Sequence, residues 1–174
     1  GGFSVVEVLL AAAVLLIVTI GILPLFTRAI SSNVQGQQLT EAVHRAKSEM
    51  ETMIQADFNG ELMTVEAGDQ LTDGTDGKET VQFWSSEQKA WVDESEHSSQ
   101  ELKTFVRTTR VRQFGIQELR TNPQTKDWTP LAGGTANSEI HLKEIEVVVT
   151  TAEAEQSSVF GPSRQLTLRT IKSF

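Results

Sequence analysis

From Val8 to Thr27 the chain has no charged residue. Val, Leu, Ile and Ala dominate the stretch, and Gly21 and Pro24 punctuate it. A helix of that length rises about 30 Å, roughly the thickness of a hydrocarbon core. Being apolar on every side, it belongs in lipid or in a helix-packed interior. From Arg28 the sequence turns polar but keeps a helical period. Leu39, Val43, Ala46, Met50 and Met53 predict one apolar stripe, flanked by Glu41, Arg45, Lys47, Glu49 and Glu51. That stripe predicts a helix packed on a sheet and ending near Ala56, before Asn59-Gly60.

Residues 59–80 read as loop, with Gly60, Gly68, Gly74 and Gly77 as turns. Strands are predicted at Glu79–Trp84, with Lys89–Val92 as its short hairpin mate, and at Leu102–Phe114, His141–Thr151 and Gln165–Ile171. Turn-rich connections without helices between them imply an antiparallel sheet. The expected fold class is α+β. Residues 3–27 form an apolar segment, 28–58 an amphipathic half of the same helix, and 59–174 a β-rich domain.

Composition narrows the function classes. The 174 residues carry a net charge of −8, and Glu7 is the only charge before Arg28. No basic stripe is available to neutralise a phosphate backbone, so nucleic-acid binding by this chain alone is disfavoured. The chain has no cysteine, which excludes disulfides, thiol nucleophiles and cysteine metal sites. His44, His97 and His141 are scattered without metal-ligand spacing, and no nucleophile elbow or phosphate-cradling loop appears. The reading is of a non-enzyme without a cofactor. Asp69, Asp73 and Asp76 lie among glycine turns and are weak calcium candidates, since their spacing is not that of an EF-hand. Alternation along the third strand puts Arg110 and Arg112 on one face and Arg107 on the other, with Glu144 and Glu146 as expected cross-strand partners. Trp84, Trp91 and Trp128 are core or contact-surface residues.

Glu7 is the anomaly of the apolar segment. A carboxylate buried in a membrane costs about 2–4 kcal/mol at mid-bilayer and calls for a partner. It stands four residues after Phe3. A cut before Phe3 creates an α-amine, and an ammonium about 4 Å from a carboxylate gains roughly 4 kcal/mol at an effective dielectric of 20. Supplied by a neighbouring chain, that amine neutralises Glu7 inside an apolar bundle. A secretory signal peptide and an ordinary single-span anchor are the alternatives.

Gly2-Phe3-Ser4-Val5-Val6-Glu7-Val8-Leu9-Leu10-Ala11 resembles the processing motif of type IV prepilins and type II secretion pseudopilins. Pro24 also lies where that family carries a proline in its apolar helix. The resemblance covers about the first 30 residues. Ser4-Val5-Val6 stands where Thr-Leu-Ile is commoner, the basic leader is not seen, and no cysteine pair closes a C-terminal loop. The resemblance implies cleavage between Gly2 and Phe3 by a prepilin peptidase, methylation of Phe3, and assembly through Phe3 and Glu7. Gly1-Gly2 would then be a leader remnant. Gly21 and Pro24 mark an expected kink in the membrane and local unwinding in a filament. Implied partners are membrane lipid, an inner-membrane assembly platform, and copies of itself or other pilins. Implied locations are the inner membrane, with the globular domain extracytoplasmic, and then a cell-surface or periplasmic filament. Major pilin, minor pilin, pseudopilin and a non-polymerising anchored binding module all stay open.

Overall fold

The computed structural model describes residues 4–96, 105–116, 129–151 and 165–174. One helix, α1 (Val5–Gln55), precedes a short 3-10 turn (Glu61–Met63) and five strands. These are β1 (Lys78–Ser85), β2 (Ala90–Val92), β3 (Phe105–Phe114), β4 (Leu142–Thr151) and β5 (Gln165–Ser173). The sheet order is β2-β1-β3-β4-β5, antiparallel throughout. The α+β architecture is the one the sequence predicts. Residues 102–104 of the expected third strand lie outside the described residues, as do His97 and Trp128. The chain divides into two compact units, Gly1–Thr40 and Glu41–Phe174.

In the first unit, α1 opens on a cap. Ser4 Oγ accepts from the Val6 N–H at 3.3 Å, and Glu7 Oε2 accepts from the Ser4 N–H at 3.4 Å. Ser4-Val5-Val6-Glu7 is therefore a capping box, which satisfies two of the helix's unpaired N-terminal donors. Thr19, Thr27 and Thr40 each donate their hydroxyl to the carbonyl four residues back. Hydroxyls in an otherwise apolar stretch are thus satisfied within the helix. Gly21 and Pro24 both lie inside α1, whose assignment continues through them.

In the second unit, the C-terminal half of α1 packs on one face of the sheet. Ala42, Ala46, Met50 and Met53 are buried against Phe105 and Val111 of β3 and Ile145, Val147 and Val149 of β4. Leu166 and Leu168 of β5 pack partly against the same cluster. This corrects the predicted stripe: Leu39 and Val43 are exposed, and Ala42 takes the inward position. The buried line therefore combines two small residues, Ala42 and Ala46, with two large ones, Met50 and Met53.

The last turn of α1 contains no basic residue. Two lysines on adjacent strands reach this region. Lys172 Nζ donates to Ile54 O at 2.7 Å and also to Ala56 O. Its register partner Lys143 is buried and donates to Phe58 O at 2.7 Å and Met63 O at 2.8 Å. Lys172 thus meets the negative end of the helix dipole and its unpaired carbonyls, while Lys143 holds the turn that follows. Farther along, the 132–135 loop lies so close to residues 66–67 that a Cβ on Gly133 would fall 1.7 Å from Glu66 O. Only glycine fits there.

Candidate functional site: the apolar half of α1 and its terminal acid

Large aliphatic residues run along α1 from Val5 to Ile30, and among the described residues they are exposed. Exposure is 76% at Val5, 71% at Ile17 and 65% at Ile30, and even Ile22, the least exposed large aliphatic of this stretch, is 43% exposed. By length and composition this helix can cross a membrane, and its most apolar window is 0% buried by the rest of the chain. A soluble core helix with that composition would be covered.

Glu7 sits in the first turn, exposed, with its carboxylate turned back to the Ser4 N–H. An acid there complements the positive end of the helix dipole. Ser-x-x-Glu before an apolar run is a local signal, so this capping role was readable from sequence and was missed. Gly2 and Phe3, the expected processing residues, lie outside the described residues. Gly21 has no atom within 4 Å of where a Cβ would sit, and the same holds for Gly36. Among the described residues no close contact requires glycine at either position.

The weak calcium candidates do not converge. Asp69 Oδ2 accepts from the Glu66 N–H at 2.8 Å, and Asp73 Oδ1 takes both the Thr75 N–H and hydroxyl. Asp76 bridges to Gln70 through the backbone. Each aspartate serves its own turn. Among the described residues no three His, Asp or Glu side chains gather as a metal site.

Arg110 and Arg112 do share a face, away from α1. Arg110 reaches Glu79 at 3.1 Å and Glu146 at 3.4 Å. Arg112 reaches Glu144 at 3.1 Å and Asp73 at 3.6 Å. Arg169 of β5, which sequence reasoning left out, joins Glu146 at 2.7 Å and Glu144 at 3.4 Å. The result is a ladder of three guanidiniums and four carboxylates across four strands and a loop. Burial pushes the Glu146 carboxyl up, but hydrogen bonds and charge from Arg169 and Arg110 more than reverse this and hold it below its ordinary value. Glu79 behaves likewise: burial raises it, and hydrogen bonds from Thr72 and Arg110 bring it lower. With every cation matched, the ladder is a structural network rather than an anion site.

Arg107 points the other way, to α1. It pairs with Glu49 at 2.5 Å, bonds Gln82, and stands 4.6 Å from the Trp91 ring centre. Arg45 of α1 lies over Trp84 at 3.4 Å, and Trp84 meets Trp91 edge-on at 5.6 Å. These cation–π contacts seal the β1–β2 side of the helix. Glu49, Thr52, Met53, Thr80 and Thr109 line a cleft of about 280 Å³ on that side. Glu49 and Arg107 in it pair with each other, and Lys78, which also lines it, donates to Glu61 O.

No protein-family model, curated protein or solved structure matches this chain.

Proposed function

We propose that this chain is a structural subunit of a type IV pilus-like filament, held in a membrane by the first half of α1 before assembly and polymerising through it. One observation carries the reading: the most apolar stretch of the chain is the one its own fold leaves uncovered. Such a helix is stable only where lipid or other apolar helices surround it. The resemblance of Gly2–Ala11 to the prepilin motif supports the same reading. So does Gly21, a helix-weakening residue with nothing within 4 Å of its Cβ position among the described residues, because small residues let helices approach closely in apolar surroundings.

In this reading Phe3 becomes the N-terminal residue after cleavage. Glu7 exchanges its bond to the Ser4 N–H for the Phe3 ammonium of a neighbouring subunit. Apolar helices then pass from lipid to a helix bundle with similar burial in both settings, so a modest input drives the step. Pro24, which cannot donate to the carbonyl of Ile20, marks where the helix yields during packing.

Glu7→Gln tests this better than alanine, because the amide still accepts from the Ser4 N–H. The expected outcome is unchanged membrane recovery with strongly reduced filament yield in sheared surface or periplasmic fractions. Normal filament yield from the Gln variant would remove the role of the charge. Mass spectrometry of the native N-terminus distinguishes a non-polymerising anchored module, which needs no methylated Phe3. A minor pilin or pseudopilin shares the processed terminus and differs in abundance in the sheared material.

A further inference from the structure

Arg28 divides the exposed part of α1 into two stretches that are apolar in different ways. Before it, from Val8 to Thr27, Leu, Ile, Val and Ala occupy every side of the helix. After it, between Arg28 and Gln38, Ile30 and Val34 are the large apolar residues. At about 100° per residue these two fall on one face, in line with Leu23 and Phe26 of the preceding turns. Arg28 and Ser32 fall on the opposite face. Leu23, Phe26, Ile30 and Val34 are all exposed among the described residues.

Lipid surrounds a helix, whereas a partner helix covers one side of it. The all-round stretch suits the first and the one-sided stretch the second. Length agrees. From Val8 to Val34 the helix rises about 39 Å, and a tilt of about 20° leaves about 37 Å, against about 30 Å of hydrocarbon. Val34 stands about 9 Å past Arg28. Lipid deep enough to cover it would also draw in the Arg28 guanidinium and the polar groups of Ser31, Ser32 and Asn33.

We propose that Ile30 and Val34, continuing the line of Leu23 and Phe26, form a seam on which α1 of a second copy packs beyond the lipid. Copies held by the same segment enter the membrane in one direction, so the two helices run parallel and like stretches meet. A second copy brings identical charges, so a self-contact calls for an uncharged stretch. Residues 29–40 carry no charge in a chain that is 22% charged. A seam two turns long is weak by itself, and it gains from the high effective concentration of helices sharing one membrane. The inference rests on the filament reading and names the face of α1 that neighbours share.

The absence of native cysteine permits a clean test. Full-length Ile30→Cys, Val34→Cys and Ser32→Cys proteins, all changed at exposed positions, are oxidised mildly in native membranes, with the first two also mixed. A parallel Leu16→Cys preparation reports association inside the bilayer. The expected result is disulfide-linked pairs from Ile30→Cys, Val34→Cys or their mixture, and none from Ser32→Cys. Val34→Lys on the Leu16→Cys chain should cut the Leu16 product about tenfold, because each copy brings the same charge to the contact, and Ser32→Lys should change it less than about twofold. Carbonate-resistant membrane recovery should be the same for both lysine variants. A Leu16 product with equal yields at Val34 and Ser32 would overturn the seam and leave the filament reading standing. Loss of membrane recovery in Val34→Lys would overturn it too, by showing that lipid covers Val34. No product at any position would count against assembly itself, and the seam would fall with it.

Discussion

Residues 5–30 and residues 42–53 belong to one helix, yet they use apolar side chains in opposite ways. The first region is rich in Leu, Ile and Val and leaves them exposed. The second buries two alanines and two methionines against the sheet. If apolar content alone decided burial, the order would be reversed. Burial is decided by whether the chain can supply a complementary surface, and β3, β4 and β5 supply one for the second region alone. The first region's driving force, about 25 cal/mol per Å² of apolar surface removed from water, is therefore left for surroundings outside the chain.

The largest effects expected from this comparison are on stability. Ile145 is 0% exposed at the centre of the sheet. Ile145→Ala should cost about 2–5 kcal/mol, lost transfer energy plus a cavity. Ile17→Ala, at an exposed helix position, should leave the thermal midpoint of the β-rich body unchanged. The two midpoints, measured in the same detergent, check the contrast. Equal losses would mean that Ile17 has a partner inside the chain after all.

Next comes membrane partition. Ile17→Arg places a charge in the middle of the apolar run, at about 2.5–3.5 kcal/mol on insertion scales. The fraction resisting carbonate extraction should fall sharply, while the same substitution at exposed Val43 should leave extraction unchanged. An Ile17→Arg protein that stays fully inserted would show that lipid is not what covers this half of α1.

Much of the fold was legible because its signals are local and periodic. The end of α1 was placed within one residue, and each strand overlaps its predicted span. Arg110 and Arg112 were read correctly as cross-strand partners of Glu146 and Glu144, because strand alternation fixes their face. The stripe on α1 slipped by one position at Val43, since a larger apolar side chain beside a small one drew the reading to the wrong residue. Lys143 and Lys172 were illegible in a stronger sense: their acceptors are main-chain carbonyls at 54–63, which carry no side-chain signature and are brought there by tertiary folding. A lysine in the inward register of Ile145, Val147 and Val149 was the one available hint. At the candidate site, the exposed apolar run was evident from sequence, and the Ser4–Glu7 cap was present as a pattern but overlooked. What the site meets is not encoded in any contact among the described residues.

The smallest effect sharpens the comparison from the other side, because it touches only the sheet face turned away from α1. The folded-state pKa values of Glu79 and Glu146 lie below their ordinary 4.5, through the causes described above. Asp73 is held below its ordinary 3.8 by the Thr75 hydroxyl and N–H, with smaller help from Arg112 and Arg110. A carboxyl with a depressed folded pKa binds protons less readily folded than unfolded. Its stabilisation is complete above the unfolded value and disappears as pH falls through the folded one. The thermal midpoint of the body should therefore decline below about pH 4.5 and keep declining until these groups protonate in the folded state. Arg110→Gln removes the cation shared by Glu79 and Glu146, so its midpoint should start lower at neutral pH and fall less steeply with acid. Membrane recovery should be the same for both proteins across that range, because the ion-pair partners of Arg110 are Glu79 and Glu146 of the sheet. Parallel midpoint curves for the two proteins would mean that the ladder is screened by solvent and contributes little to holding the sheet.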